Sequence, residues 1–379
     1  MTLKSMSRGM QLRSALEAAI VIAIGMGFGR FAYTALYPHM VQENILSLSQ
    51  GSMAASANYA GYLVGALLAI QTKPKNAHRF CLWATGGTAA CLISLAFLES
   101  AWLIVMVRGV AGALSAVAMI AASLWLLQHR RHIHGAPLLY GGVGLGIAVS
   151  AELVVLGFWL NLTSHQLWLL LGLGSFALML LAVPGLSDTK YDAQADNKDV
   201  PQSPVKQWPL VLIYGLAGFG YIITATYLPL LVRTALPELD PGHVWAVFGL
   251  GAAPSCFLWH RLHRHLGTQN SLAMNLAIQA LGVILPILLP NGTGYLGSAL
   301  LVGGTFMGAV TIAMSAAQRI TNKASINLLA VMTIIYSVGQ IAGPFVADAF
   351  YTMNQNFNGS LWAAGIALTA AACISLKML

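Results

Sequence analysis

Charge is scarce in this sequence. Nineteen lysines and arginines and eleven acidic residues leave only 8% of 379 positions charged, while 58% are hydrophobic. Soluble domains carry about a quarter charged residues. So few charges exclude a water-soluble globular fold, and the solvent is read as a bilayer. Cysteine is sparse too. Cys81, Cys91, Cys256 and Cys373 lie singly in apolar stretches. They have neither metal-ligand nor disulfide spacing and are read as small core residues. There are no paired carboxylates, no nucleophile with a base beside it and no HExxH, so an enzyme acting on lipid lacks a constellation. "GFGRF" at 27–31 follows no strand and is not a dinucleotide fingerprint. No ATP-binding motif occurs, no cofactor is implied, and energy for any transport must come from a gradient.

What is present is a series of long apolar runs. They fall at 15–38, 51–71, 79–98, 101–127, 138–160 and 166–184, then at 209–232, 243–260, 270–289, 294–317, 327–350 and 360–377. Each is near the ~20 residues a helix needs to cross about 30 Å of hydrocarbon. They are too continuous for barrel strands, so the expected fold is an all-α membrane protein of twelve transmembrane helices. Lys4, Arg8 and Arg13 before the first run resemble a signal peptide. That run continues to Pro38 and more spans come after it, so it is read as the first membrane helix.

Basic residues set the orientation. With the N-terminus in the cytoplasm, the inner segments hold Lys4, Arg8, Arg13, Lys73, Lys75, Arg79, Arg130, Arg131, Lys190, Lys198, Lys206, Arg261, Arg264, Arg319, Lys323 and Lys377. The outer segments hold Arg233 with Glu43, Glu99, Glu238 and Asp240. Both termini are expected inside. The net charge of +8 is therefore topological and does not indicate nucleic acid. The His-rich "QHRRHIHG" and "WHRLHRHLG" are read as basic inner loops, not metal sites.

Residues 185–208 mix both charge signs with proline and are expected to be a cytoplasmic linker between an N-terminal bundle, 1–184, and a C-terminal bundle, 209–379. The halves are related. "GFGRFAYTALYP" at 27–38 matches "GFGYIITATYLP" at 218–229 at an offset of 191, and "YGGVGLGIAVSAE" at 140–152 matches "YSVGQIAGPFVAD" at 336–348 at an offset of 196. Parallel repeats of six helices about an axis along the membrane normal are one transporter architecture.

Arg30 sits deep in the first run, roughly 20 Å from its inner end. Arginine at such depth faces an interior cavity by default. Tyr33, Thr34 and Tyr37 stand at i+3, i+4 and i+7, on the same face of a regular helix. Arg108 and Glu152 lie at similar depth in the fourth and fifth runs. A cluster of Arg30, Arg108 and Glu152 is expected, either as a static bracket or as a site that binds an anionic group or couples to protons. Asp348, near the outer end of the eleventh run, is a second coupling candidate. Tyr336 and Gln340, one turn apart on that run, are candidate cavity donors. Gly61 and Gly65, Gly304 and Gly308, and Gly339 and Gly343 have the GxxxG spacing of close helix contacts.

Taken together, these features resemble the major facilitator superfamily, over the entire chain. "GFGRFAYTALYPHM" at 27–40 and "YGGVGLGIAVSAE" at 140–152 further resemble the YbfB/YjiJ group. "RGVAG" from Arg108 to Gly112 is similar to the superfamily's helix-four arginine motif, with Ala111 in place of the usual glutamine. The loop after the second run, in "GALLAIQTKPKNAHRF", keeps the basic residues of the family pattern and lacks its aspartate. The resemblance implies two six-helix bundles of the major facilitator fold, rocking about a central site on the first, fourth, seventh and tenth helices. It implies a monomeric secondary transporter in a bacterial inner membrane, moving a small organic solute, with proton coupling through Arg108, Glu152 and Asp348. Arg30, Tyr33, Thr34, Tyr37, Arg108, Tyr221 and Thr224 are the expected solute contacts, and the arginines favour an anionic or zwitterionic solute. Proton-driven efflux of hydrophobic or cationic drug-like compounds is the alternative. A non-transporting scaffold or sensor is the alternative class.

Overall fold

The computed structural model describes residues 8–186, 206–236, 238–321 and 328–379. Lys4, Lys190, Lys198, Lys323 and all but the ends of the expected linker lie outside the described residues. The described chain is helical throughout: α1 Gly9–Gln42, α2 Leu48–Ala69, α3 Ala77–Leu95, α4 Ala101–His129, α5 Ala136–Trp159, α6 Ser164–Gly185, α7 Gln207–Ala235, α8 Pro241–Leu288, α9 Gly292–Thr321, α10 Leu328–Asn354 and α11 Asn358–Met378.

Nine of these are long and apolar enough to cross a membrane, all except α2 and α3, which qualify only as a pair bent by 120° through Pro74–Asn76. Twelve separate spans were expected. Two physical reasons account for the difference. α2 carries Ser49, Gln50, Ser52, Ser56 and Asn58 in its first half, of which Ser52, Ser56 and Asn58 are buried against other helices, while Val64, Leu67 and Leu68 in its second half are exposed. α8 holds two of the expected spans in one stretch. Its 48 residues amount to about 72 Å of helix, over twice the hydrocarbon thickness. The stretch breaks at Gly267, with φ 73° and ψ 177°, a conformation only glycine adopts readily. Gly251 and Gly282, one on each arm, both abut residues 300–304 of α9, so the chain doubles back at Gly267. "WHRLHRHLG", expected as a loop, is helical up to that single residue.

The helices up to Gly185 pack largely on one another, as do those from Gln207 onward. Two long seams join the sets, α5 against α8 and α2 against α10, with α1 crossing α7 between them. The outer surface is apolar: Leu68, Phe97, Met106, Leu181 and Ile366 are all exposed. Trp83, Trp102, Trp159 and Trp208 are exposed too, three of them near helix ends, where interfacial tryptophans anchor a membrane protein. Exposure of apolar residues to lipid also corrects the reading of the cysteines. Cys81 and Cys256 are buried, but Cys373 is exposed, because apolar neighbours in a bilayer do not imply burial.

Candidate functional site

α1 is not a regular helix where it carries Arg30. Ala23–Phe31 is π-helical, with wider turns bonded i→i+5, a feature frequent at functional sites. This segment presses close to its neighbours. A Cβ at Gly27 would lie 2.3 Å from the backbone of Gly146 in α5.

Arg30 is only 2% exposed. Its guanidinium lies 4.3 Å from the Tyr62 ring centre, 5.0 Å from Tyr59 and 5.2 Å from Phe31. Aromatic faces attract a cation, at about 0.5–2 kcal/mol each. No carboxylate pairs with it, and its Nε and Nη2 donate to no acceptor among the described residues. A buried charge held only by rings is costly to retain.

Arg108 is also buried; two of its nitrogens are bonded and its Nε donates to no acceptor among the described residues. Nη1 donates to the Gly29 carbonyl at 2.8 Å and Nη2 to the Arg30 carbonyl at 2.9 Å. The guanidinium lies 4.5 Å from the Tyr33 ring centre, and Asn58 donates to its own carbonyl at 2.8 Å. Arg108 therefore ties α4 to the π-helical segment of α1 and to α2.

The expected face of Arg30, Tyr33, Thr34 and Tyr37 divides among three environments. The Tyr33 hydroxyl donates to the Gly51 carbonyl at 2.9 Å and that of Tyr37 to the Leu48 carbonyl at 2.7 Å, which holds α1 to the start of α2. Their rings stack, with centres 5.3 Å apart, and Tyr33 also stacks on Trp168. Thr34 donates across the seam to the Ala225 carbonyl at 2.8 Å.

Of the expected cluster of Arg30, Arg108 and Glu152, the two arginines adjoin, Arg108 bonding the Arg30 carbonyl, and Glu152 does not join them. The Glu152 side chain is 51% exposed and meets His243 Nδ1 at 3.0 Å. It shares a face with Gly144 and Ala148, and that face packs on α8: a Cβ at Gly249 would lie 2.5 Å from Ala148 N. Depth along α5 places Glu152 level with an arginine, and helical phase turns it away. Asp348 likewise sits on a seam, where its Oδ2 accepts from Ser49 at 2.9 Å.

Across from Arg30 stands a ladder of rings. Phe31 meets Phe306 at 6.0 Å, Phe306 stacks on Tyr221 at 5.4 Å, and Tyr221 stacks on Tyr336 at 5.9 Å. Gln340 Nε2 donates to the Tyr221 hydroxyl. Thr224, one turn on, is buried with its hydroxyl unbonded among the described residues. Sequence reasoning missed Tyr59, Tyr62 and Phe306. The one available signal was the i, i+3 spacing of Tyr59 and Tyr62 on a helix otherwise lined with small residues.

Cross-seam bonds concentrate toward one end of the helices, the end joined by residues 43–47 and 236–240. They include Thr34 to Ala225, Tyr59 with Thr226 at 2.9 Å, Tyr227 to Ser52 at 2.6 Å, Ser56 to the Ile341 carbonyl at 3.2 Å, Ser49 to Asp348, and Glu152 with His243. Trp245 of α8 adds a bond from Nε1 to the Phe31 carbonyl at 3.0 Å.

Residues 22–376 match the family model described as "Uncharacterised MFS-type transporter YbfB". A search among curated proteins found no match.

Proposed function

Since the chain belongs to this family of MFS-type membrane transporters, we propose that it is a secondary active transporter that moves a small organic solute by alternating access and is coupled to protons. In this reading twelve spans form two six-helix bundles, 1–184 and 209–379, with both termini on the cytoplasmic side of a bacterial inner membrane. The single observation that carries it is Arg30, a buried guanidinium with no acid paired to it among the described residues, walled by Phe31, Tyr59 and Tyr62. A charge kept at such cost inside a membrane protein marks a solute pathway.

The distribution of bonds supports a resting state that is closed on the outer side. By the positive-inside rule the 43–47 end is the outer one, and there the seams are closed. Glu152 and Asp348 both bridge those seams. Opening the outer side removes His243 from Glu152 and Ser49 from Asp348, which frees each carboxylate to take a proton. Arg108 holds the backbone of the Arg30 segment in place.

The test is reconstitution into liposomes loaded with a pH indicator, with candidate solutes added outside. Solute-dependent proton movement in the parent, lost in Arg30→Gln, is the expected result. Solute movement that is indifferent to a proton gradient removes the coupling. Normal transport by Arg30→Gln removes the site.

A further inference from the structure

We propose that the groove between α11 and the arm of α8 after Gly267 binds one anionic phospholipid of the inner leaflet. An acyl chain lies along the groove and the phosphate sits at its inner mouth, with inner and outer sides as set by the positive-inside rule above. The groove has a volume of about 590 Å³ and runs from Asn270 and Leu376 to Ile284. From Asn270 to Ile284 is about 21 Å of helix, room for an extended long acyl chain. A second cavity of about 300 Å³ shares Ile284, Thr369 and Cys373 with the first and continues past Ile366 to Trp362. At the inner end the two helices are held together. Gln269 Nε2 donates to the Leu376 carbonyl at 2.6 Å, and the Ser375 hydroxyl donates to the Gln269 carbonyl at 2.9 Å. Ala273, Ala280 and Ala372 line the groove and are buried, so they form its floor, while Leu281 and Leu376 stand exposed on either side. Thr369, the one hydroxyl in the lining, donates to the Gly365 carbonyl at 2.8 Å. Apart from the weakly polar Cys373 thiol, that leaves Asn270 as the polar side chain of the lining, and it stands at the inner mouth.

Charge at the mouth selects the headgroup. Lys377 directly follows Leu376 and is exposed, and Arg264 is exposed just before the Gly267 break. From Pro241 to Leu379 the sequence has one acidic residue, Asp348, and that lies on the outer seam. No acidic side chain of this half offsets the two cations. The arm of α8 starts after Gly267, so the positive end of its dipole faces the same side. Basic pockets between transmembrane helices on the cytoplasmic side take anionic headgroups. The same charges argue against a second copy of the chain as the occupant. A two-fold pair through this groove would set the Lys377 and Arg264 side chains of both copies at one depth, like charge beside like charge.

Native mass spectrometry of the purified full chain tests this. The probes are phosphatidylglycerol and phosphatidylcholine with the same acyl chains, added singly and as an equal mixture. One phosphatidylglycerol per chain should be retained, at least about fivefold more tightly than phosphatidylcholine. Ala277 lines the groove and is exposed, so Ala277→Trp fills the groove without entering the core. It should weaken retention about tenfold. Cys373→Trp, from the opposite wall, repeats the test if Ala277→Trp does not fold. Leu68→Trp, a lipid-facing change on α2, should leave retention unchanged. Lys377→Gln together with Arg264→Gln should bring phosphatidylglycerol down to the level of phosphatidylcholine. Equal retention of the two lipids by the parent, or an unchanged preference in that double variant, overturns the headgroup assignment. Unchanged retention in both tryptophan variants overturns the groove, and no retained lipid overturns the proposal as a whole. A lipid-free dimer that Ala277→Trp dissociates puts a second copy in the groove and overturns the lipid. No transport enters the measurement, so its failure and that of the transporter reading are separate.

Discussion

Thr34 donates its hydroxyl hydrogen to the carbonyl of Ala225 at 2.8 Å, and the two residues are 191 apart in sequence. That is the same offset that relates the GFG segments at 27 and 218. Arg233 bonds to Gln42 across the same pair of helices, again 191 apart. Repeat equivalents that touch each other must lie on the axis that relates them, so these contacts support the reading of two related halves with α1 and α7 at the axis.

Thr34→Val keeps the shape of the side chain and removes this bond, which is worth about 1 kcal/mol. The expected outcome is a shift of several-fold away from the arrangement with closed seams. Crosslinking between cysteines placed at Ser56 and Ile341, after replacement of the four native cysteines, measures it. Unchanged crosslinking rejects the prediction.

Arg108→Lys retains the charge and loses the two-pronged donation to Gly29 and Arg30. Hydrogen bonds from a charged group contribute about 1.5–3 kcal/mol. Thermal unfolding should begin several degrees lower than in the parent. If the residue positions the Arg30 segment and does not itself meet the solute, the order of affinities in a ligand panel should remain. A reordered panel would place Arg108 among the ligand contacts.

A Cβ at Gly144 would lie 2.3 Å from Ala253 N and 2.5 Å from the Gly249 carbonyl oxygen. Gly144→Leu should therefore force α5 and α8 apart, abolish transport and raise the accessibility of a cysteine placed at Ala148, while the protein still folds. Gly61→Leu is the contrasting case. Its Cβ would lie 1.9 Å from the Gly109 carbonyl oxygen within the first set of helices, so that variant should lose stability outright. Size-exclusion profiles of the two variants separate the outcomes.

Glu152→Gln removes the carboxylate from a carboxylate–imidazole contact whose two side chains are 51% and 40% exposed. Such pairs are worth only about 0.2–1 kcal/mol, so the unfolding temperature should move by no more than a few degrees. A large drop would mean that Glu152 carries more of the fold than its exposure indicates. If it carries the proton, transport by this variant should lose its response to a pH gradient while solute binding persists.

Composition and run length made the membrane class legible, and the depth of a lone guanidinium made Arg30 legible. Rotation was harder to read. Glu152 and Arg30 lie at matching depths, but α5 faces α1 with Gly142 and Gly146 and faces α8 with Gly144 and Ala148, and depth alone does not distinguish those faces. Tyr33 and Tyr37 were grouped with Arg30 by spacing, which does not show that their hydroxyls reach to the carbonyls of Gly51 and Leu48 at the start of α2. The partners of Arg30 on α2, Tyr59 and Tyr62, come from another span, and nothing in the sequence shows which helix faces the guanidinium. The break at Gly267 comes after a helical run through "WHRLHRH", where basic composition had suggested a loop.

At the α5–α8 seam, Gly144 faces Gly249 and Ala253, with backbone close against backbone. Ordinary helix pairs mesh side chains like gear teeth, and parting them means withdrawing each tooth from its socket. This stretch of the seam has almost no teeth. Two smooth rods can shear past one another or separate with few rotamers to rearrange, so the mechanical friction of switching is low here, and the bonds between Glu152 and His243 and between Ser49 and Asp348 act as small detents that hold one position.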